Sequence, residues 1–112
     1  MYIFGLLNLL VITAFTYIYE KFKMKTVIES TWEDRSLINK KENQECILDT
    51  INQLDKGVIR VAEKINESWT INEWVKKAVI MYFQIQKMKT IEVGPFEFHD
   101  KIPLKNKYKQ KR

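Results

Sequence analysis

Side chains able to do chemistry are few and scattered along this 112-residue chain. Cys46 is the only cysteine and His99 the only histidine. A single thiol forms no disulfide within the chain and supplies no cysteine set for zinc. Nothing near His99 in the sequence makes a triad or a metal set. Cys46 therefore reads as a small buried residue of a helix, and His99 as structural or solvent-facing. Lys76 and Lys77 could contact an anion, although a solvated pair is the plainer reading. No glycine-rich phosphate loop, no pair of carboxylates in a shared setting and no internal repeat is present. Catalytic, cofactor-binding and metal-binding roles are thus assigned to none of the residues. One reduced thiol suits the cytoplasm.

Charge narrows the classes further. The net charge is +5, yet residues 1–19 carry no charged side chain and residues 101–112 hold six basic residues and no acid. The body between them is one unit negative, so the basic character belongs to the tail. Nucleic-acid binding needs a basic face on folded structure, and no nucleic-acid partner is expected. Hydrophobic residues at 46% and charged residues at 29% are an ordinary globular balance.

The elements that must position these residues alternate between helix and strand. Residues 27–36, "VIESTWEDRS", suit a short helix with Ile28, Thr31 and Trp32 on one side. From Asn43, Ile47, Ile51 and Leu54 recur at helical spacing, and Gly57 supplies the left-handed residue that ends such a helix. "VIRVAEKI" and "SWTI" read as two short strands joined by a tight turn at Asn66-Glu67. Thr70 and Glu73 have capping-box spacing ahead of a helix over 71–86. Trp74, Ala78, Met81, Tyr82 and Ile85 share one face of it. Val79, Ile80 and Phe83 widen the apolar surface, which predicts a mostly buried helix. Glu73 and Lys77 are spaced as an exposed i, i+4 pair. Beyond Gln86, Gly94-Pro95 and Pro103 break an alternating pattern into extended segments and turns. The fold class is α+β: a small, mostly helical domain with a short β-hairpin.

The first segment, "MYIFGLLNLLVITAFTYIY", permits two readings. As a helix its nineteen residues span about 28 Å, close to the hydrocarbon thickness of a bilayer. The "EKFKMK" that follows would then place residues 24–112 in the cytoplasm. Alternatively Met24 is the true start and residues 1–23 are an upstream extension without a selected role. A cleaved signal peptide is not expected, because the segment lacks a basic start and a small-residue cleavage site.

"LDKGVIRVAEKI", "EWVKKAVIMYF" and "FHDKIPLK", with "IES" ahead of them, occur in an order and at separations that resemble one family. It is that of 2,3,4,5-tetrahydropyridine-2,6-dicarboxylate N-succinyltransferase, and the resemblance covers its N-terminal domain. Residues 24–105 are then that domain, preceded by 1–23 and followed by a basic tail, 106–112. The resemblance implies an acyltransferase of lysine and diaminopimelate biosynthesis in the cytoplasm, with succinyl-CoA as co-substrate. It also implies a homotrimer built on a left-handed β-helix of hexapeptide repeats. This sequence does not reach that β-helix. The family's substrate-binding arginine and acidic catalytic residue fall beyond Arg112, so no site residue is carried over. The leading expectation is a truncated family member that is inactive alone and binds no cofactor. The alternatives are a membrane-tethered interaction module using the helix over 71–86, and a small basic nucleic-acid-binding protein.

Overall fold

Three apolar helix stripes meet to form the core of the computed structural model, which describes residues 2–110, with side chains from residue 5 onward. Helix α1 runs Tyr2–Glu33, α2 Lys41–Asp55 and α3 Glu73–Ile85. From α1, Met24, Ile28 and Thr31 are buried at i, i+4 and i+7. Ile47 and Thr50 come from α2, and Trp74, Val75, Ala78, Met81 and Tyr82 from α3. Ile59, from the loop after α2, closes the cluster. Two threonines lie within this apolar set without orphaned hydroxyls. Thr31 donates to the Val27 carbonyl and Thr50 to the Cys46 carbonyl, each at 2.8 Å.

α1 is one unbroken helix from the apolar start to Glu33, longer than the short helix anticipated over 27–36. It ends where Asp34 accepts from the Ser36 amide at 3.1 Å and its hydroxyl at 2.6 Å, which starts a 3-10 turn, Arg35–Asn39. α2 closes as expected, with Gly57 at φ +74° just past its end.

The hairpin forms where expected, with a first strand shorter than "VIRVAEKI" because residues 58–61 are a loop that turns Ile59 into the core. β1 (Ala62–Ile65) pairs antiparallel with β2 (Ser68–Ile71). Asn66 and Glu67 both take positive φ, 48° and 66°, which a two-residue turn with the twist of its strands requires.

The capping box does not form. Thr70 lies within β2, and the residue ahead of α3 is Asn72. The Asn72 side chain leaves the helix to donate to the Arg60 carbonyl at 2.7 Å and to Glu63 Oε1 at 3.1 Å. Its backbone amide donates to the Val61 carbonyl at 2.7 Å. Pinning the hairpin to α3 wins over capping α3. α3 is also less enclosed than its composition suggests, because Ile80 is 50% exposed and Phe83 39%.

After α3 a second antiparallel ribbon, β3 (Lys89–Val93) with β4 (Phe96–Asp100), turns at Gly94-Pro95, where extended segments were expected. A last 3-10 turn, Tyr108–Gln110, lies in the tail, whose final two residues fall outside the description. The α+β class holds, with two small hairpins in place of one.

The N-terminal part of α1 stands clear of this core. Leu6, Leu9, Leu10, Ile12 and Phe15 are each more than half exposed. The radius of gyration, 18.3 Å, exceeds the value of about 13 Å for a compact chain of this length. Among the described residues no helix is long and apolar enough to cross a membrane, so a bilayer-spanning helix over residues 1–19 finds no support. Asn8, Thr13 and Thr16 dilute the apolar run, and the helix continues straight into Glu20, Lys21 and Lys23. Met1, and the side chains of residues 2–4, lie outside the described part of that segment.

Candidate functional site

A polar cluster gathers around Trp32, where α1, the 3-10 turn and α3 meet. The Arg35 guanidinium lies 4.0 Å from the centre of the Trp32 ring, and Lys77 Nζ lies 5.8 Å from it. Arg35 donates to Gln84 Oε1 at 2.7 Å. Lys77 donates to Glu29 Oε2 at 2.5 Å, with both side chains mostly shielded from water. The hydrogen bond to Glu29, helped by the nearby carboxylates of Glu33 and Glu73, raises the Lys77 pKa above its ordinary value. Lys77 is therefore not the solvated partner of Glu73 that their spacing implied. It reaches back across the helix interface to α1.

Each cation of this cluster already has an oxygen partner and an aromatic neighbour. The arrangement clamps three elements together, and an incoming anion would have to displace a protein contact. Sequence spacing places Trp32 on one side of a helix with Ile28 and Thr31. It does not find Glu29 with Lys77 or Arg35 with Gln84, because those partners meet only when α3 packs on α1.

Cys46 lies on α2, half-buried rather than fully buried, beside a groove of about 470 Å³ between α1 and α2. Its Sγ sits 3.8 Å from the Met24 carbonyl oxygen as a weak donor. Burial first, and then the charge of Asp49, push its pKa up to about 11, with Lys23 offsetting part of the shift. A thiol held protonated in this way is a poor nucleophile near neutral pH.

His99 is exposed on β4, with Nδ1 2.7 Å from the Thr90 hydroxyl oxygen across the ribbon. Lys76 faces solvent, as expected of it. The structure brings no two of Cys46, His99 and Lys76 together. Among the described residues, no group of three or more histidine, cysteine or acidic side chains is placed to hold a metal ion. Every buried side-chain nitrogen or oxygen among them has a hydrogen-bond partner. The described residues form a packed domain, with the Lys77–Glu29 and Arg35–Gln84 ties at its helix interfaces.

Residues 23–85 match the family described as "Tetrahydrodipicolinate N-succinyltransferase N-terminal". That span begins one residue before Met24 and ends at Ile85, so it takes in all three core stripes and the first hairpin. The chain is 40% identical over 86 residues to the 2,3,4,5-tetrahydropyridine-2,6-dicarboxylate N-succinyltransferase of Pseudoalteromonas translucida, covering 73% of this chain and 31% of the relative. The enzyme of the same name from Burkholderia pseudomallei is 38% identical over 88 residues, covering 74% and 32%. That of Cupriavidus metallidurans is 37% identical over 87 residues, covering 73% and 32%. The match spans about a third of the length of these curated relatives. Through this core, the chain belongs to the tetrahydrodipicolinate N-succinyltransferase family, as its N-terminal domain.

Proposed function

We propose that residues 24–105 serve as the N-terminal domain of an enzyme moving a succinyl group from succinyl-CoA to tetrahydrodipicolinate, in lysine and diaminopimelate biosynthesis. The observation that carries this reading is the coincidence of the family match, 23–85, with the three-helix core. A biosynthetic role of this kind belongs in the cytoplasm, and trimeric assembly is part of the same reading.

The domain's part is scaffolding, and the 112-residue chain does not transfer succinyl by itself. Acyl transfer to nitrogen requires a thioester and an amine held at bonding distance, a large share of any such rate. Supporting this, the cations nearest the core are already engaged within the protein: Lys77 with the Glu29 carboxylate and Arg35 with the Gln84 amide oxygen. Cys46 is held as the thiol.

The test is release of the coenzyme A thiol from succinyl-CoA in the presence of tetrahydrodipicolinate. Purified chain is expected to give no release above the rate without protein. Turnover that scales with the concentration of the chain would refute the scaffolding role.

A further inference from the structure

The β3–β4 ribbon has two unlike faces. Its register pairs Ile91 with Phe98 and Val93 with Phe96, which puts these four side chains on one face, bounded at its open end by the Lys89–Asp100 pair. The intervening pairs, Thr90 with His99 and Glu92 with Glu97, lie on the other. The polar face carries the Thr90–His99 hydrogen bond across the two strands.

Among the described residues, the apolar face stands largely open to solvent. Val93 is 52% exposed, Phe96 66% and Phe98 45%. Ile102 and Leu104 extend this surface and, with Ile91 and Phe98, line a groove of about 240 Å³. The helical core does not cover the ribbon. Two polar ties return from this region to the helices, Lys101 Nζ donating to the Phe83 carbonyl at 2.7 Å and Lys105 pairing with Asp55, and Ile102 and Leu104 also line a shallow groove with Leu48, Ile51 and Tyr82 of α2 and α3.

A two-stranded ribbon alone in water is marginal, and sorting its apolar residues onto one face is the pattern of a sheet whose face is to be covered. The relatives indicate what covers it. The matched segment makes up only 31–32% of their length. The ribbon lies on the C-terminal side of the matched core, where those longer chains have most of their remaining residues.

We infer that the apolar face of β3–β4, continued by Ile102 and Leu104, is the docking surface for the C-terminal region of a succinyltransferase chain. This rests on the family reading above. The face supplies main-chain order and four aligned apolar side chains, and the carboxylates of Glu92 and Glu97 keep the opposite face in water.

The experiment compares two proteins carrying the same substitutions. The first is the 112-residue chain. The second is the Pseudoalteromonas translucida enzyme with its matched N-terminal segment replaced by residues 24–105 of this chain. Val93→Thr with Phe96→Thr removes the apolar surface and keeps β-propensity. Thr90→Val, on the polar face, is the control.

In the 112-residue chain the double variant should leave the unfolding midpoint unchanged. In the chimera it should lower succinyltransferase activity about tenfold or more, while Thr90→Val leaves activity unchanged. A chimera equally active with and without the double substitution overturns the docking surface. An unsubstituted chimera without activity overturns the family reading, and the docking surface with it. A 112-residue chain that sediments as a dimer, and as a monomer once doubly substituted, makes a second copy the occupant and also overturns the proposal.

Discussion

Trp74 and Trp69 stand five residues apart and should respond to truncation in opposite ways. Trp74, in the first turn of α3, is 4% exposed, whereas Trp69, on β2, is 72% exposed. A tryptophan side chain presents about 200 Å². Roughly 190 Å² is then hidden at Trp74 and about 55 Å² at Trp69. At about 25 cal/mol per Å², these areas correspond to about 5 and about 1.4 kcal/mol. Alanine keeps part of the buried area and the cavity relaxes in part, so Trp74→Ala should cost about 3–5 kcal/mol. Trp69→Ala should cost under about 1 kcal/mol, because its unfolded reference also hides some surface. A domain of this size has about 5–10 kcal/mol in total. With a urea slope of about 1–2 kcal/mol per molar, the Trp74→Ala midpoint should fall by at least about 1.5 M, or folding should be lost at room temperature. Urea unfolding followed by far-ultraviolet circular dichroism measures both variants beside the parent. Equal midpoints for Trp74→Ala and Trp69→Ala would refute the core placement of α3.

Gly57→Ala tests backbone alone: at φ +74° an added Cβ meets no atom within 4 Å, so the variant should lose about 1 kcal/mol by conformational strain. A neutral result in urea unfolding would show that the α2 end adjusts freely. Cys46, with its pKa pushed from 9.0 to about 11, should react with iodoacetamide at pH 9 about fiftyfold more slowly in the folded protein than in urea, since only about 1% is thiolate. Equal rates would refute the burial argument. The same raised pKa makes the neutral thiol's contribution complete below pH 9 and lost as pH rises towards 11. Lys77 acts in the same direction, because its folded pKa lies above the ordinary 10.5. Its contribution is complete below that value and is lost as pH rises through the folded one. Melting curves between pH 8 and 12 should therefore show falling stability, with a shallower decline in Glu29→Gln; an unchanged slope in that variant would exclude the Lys77–Glu29 pair as a cause.

Local rules were enough for the elements whose signal is short-range. The stripe Ile47, Ile51, Leu54 and the terminating Gly57 marked α2, and a helix closes at a residue that can take positive φ. Asn66-Glu67 marked the first hairpin for the same reason. Trp74, Ala78, Met81 and Tyr82 share a face at helical spacing whatever lies opposite, so the inward side of α3 was readable before its neighbours were known. The ordered motifs "LDKGVIRVAEKI" and "EWVKKAVIMYF" were enough to place the family.

Tertiary packing decided what competed for a partner. Asn72 left α3 uncapped because the Arg60 carbonyl and Glu63 came within reach once the hairpin folded back. Lys77 abandoned Glu73, four residues away on its own helix, for Glu29 on α1. That bond forms beside the Trp32 ring and away from bulk water, where a charged pair is screened less than on an open helix surface. The amphipathic ribbon shows the same division. Alternation marks 89–100 as extended, but only antiparallel register aligns Ile91 with Phe98 and Val93 with Phe96 on a single face. Side-chain period is local, whereas the partner of each side chain is set by elements far away in sequence.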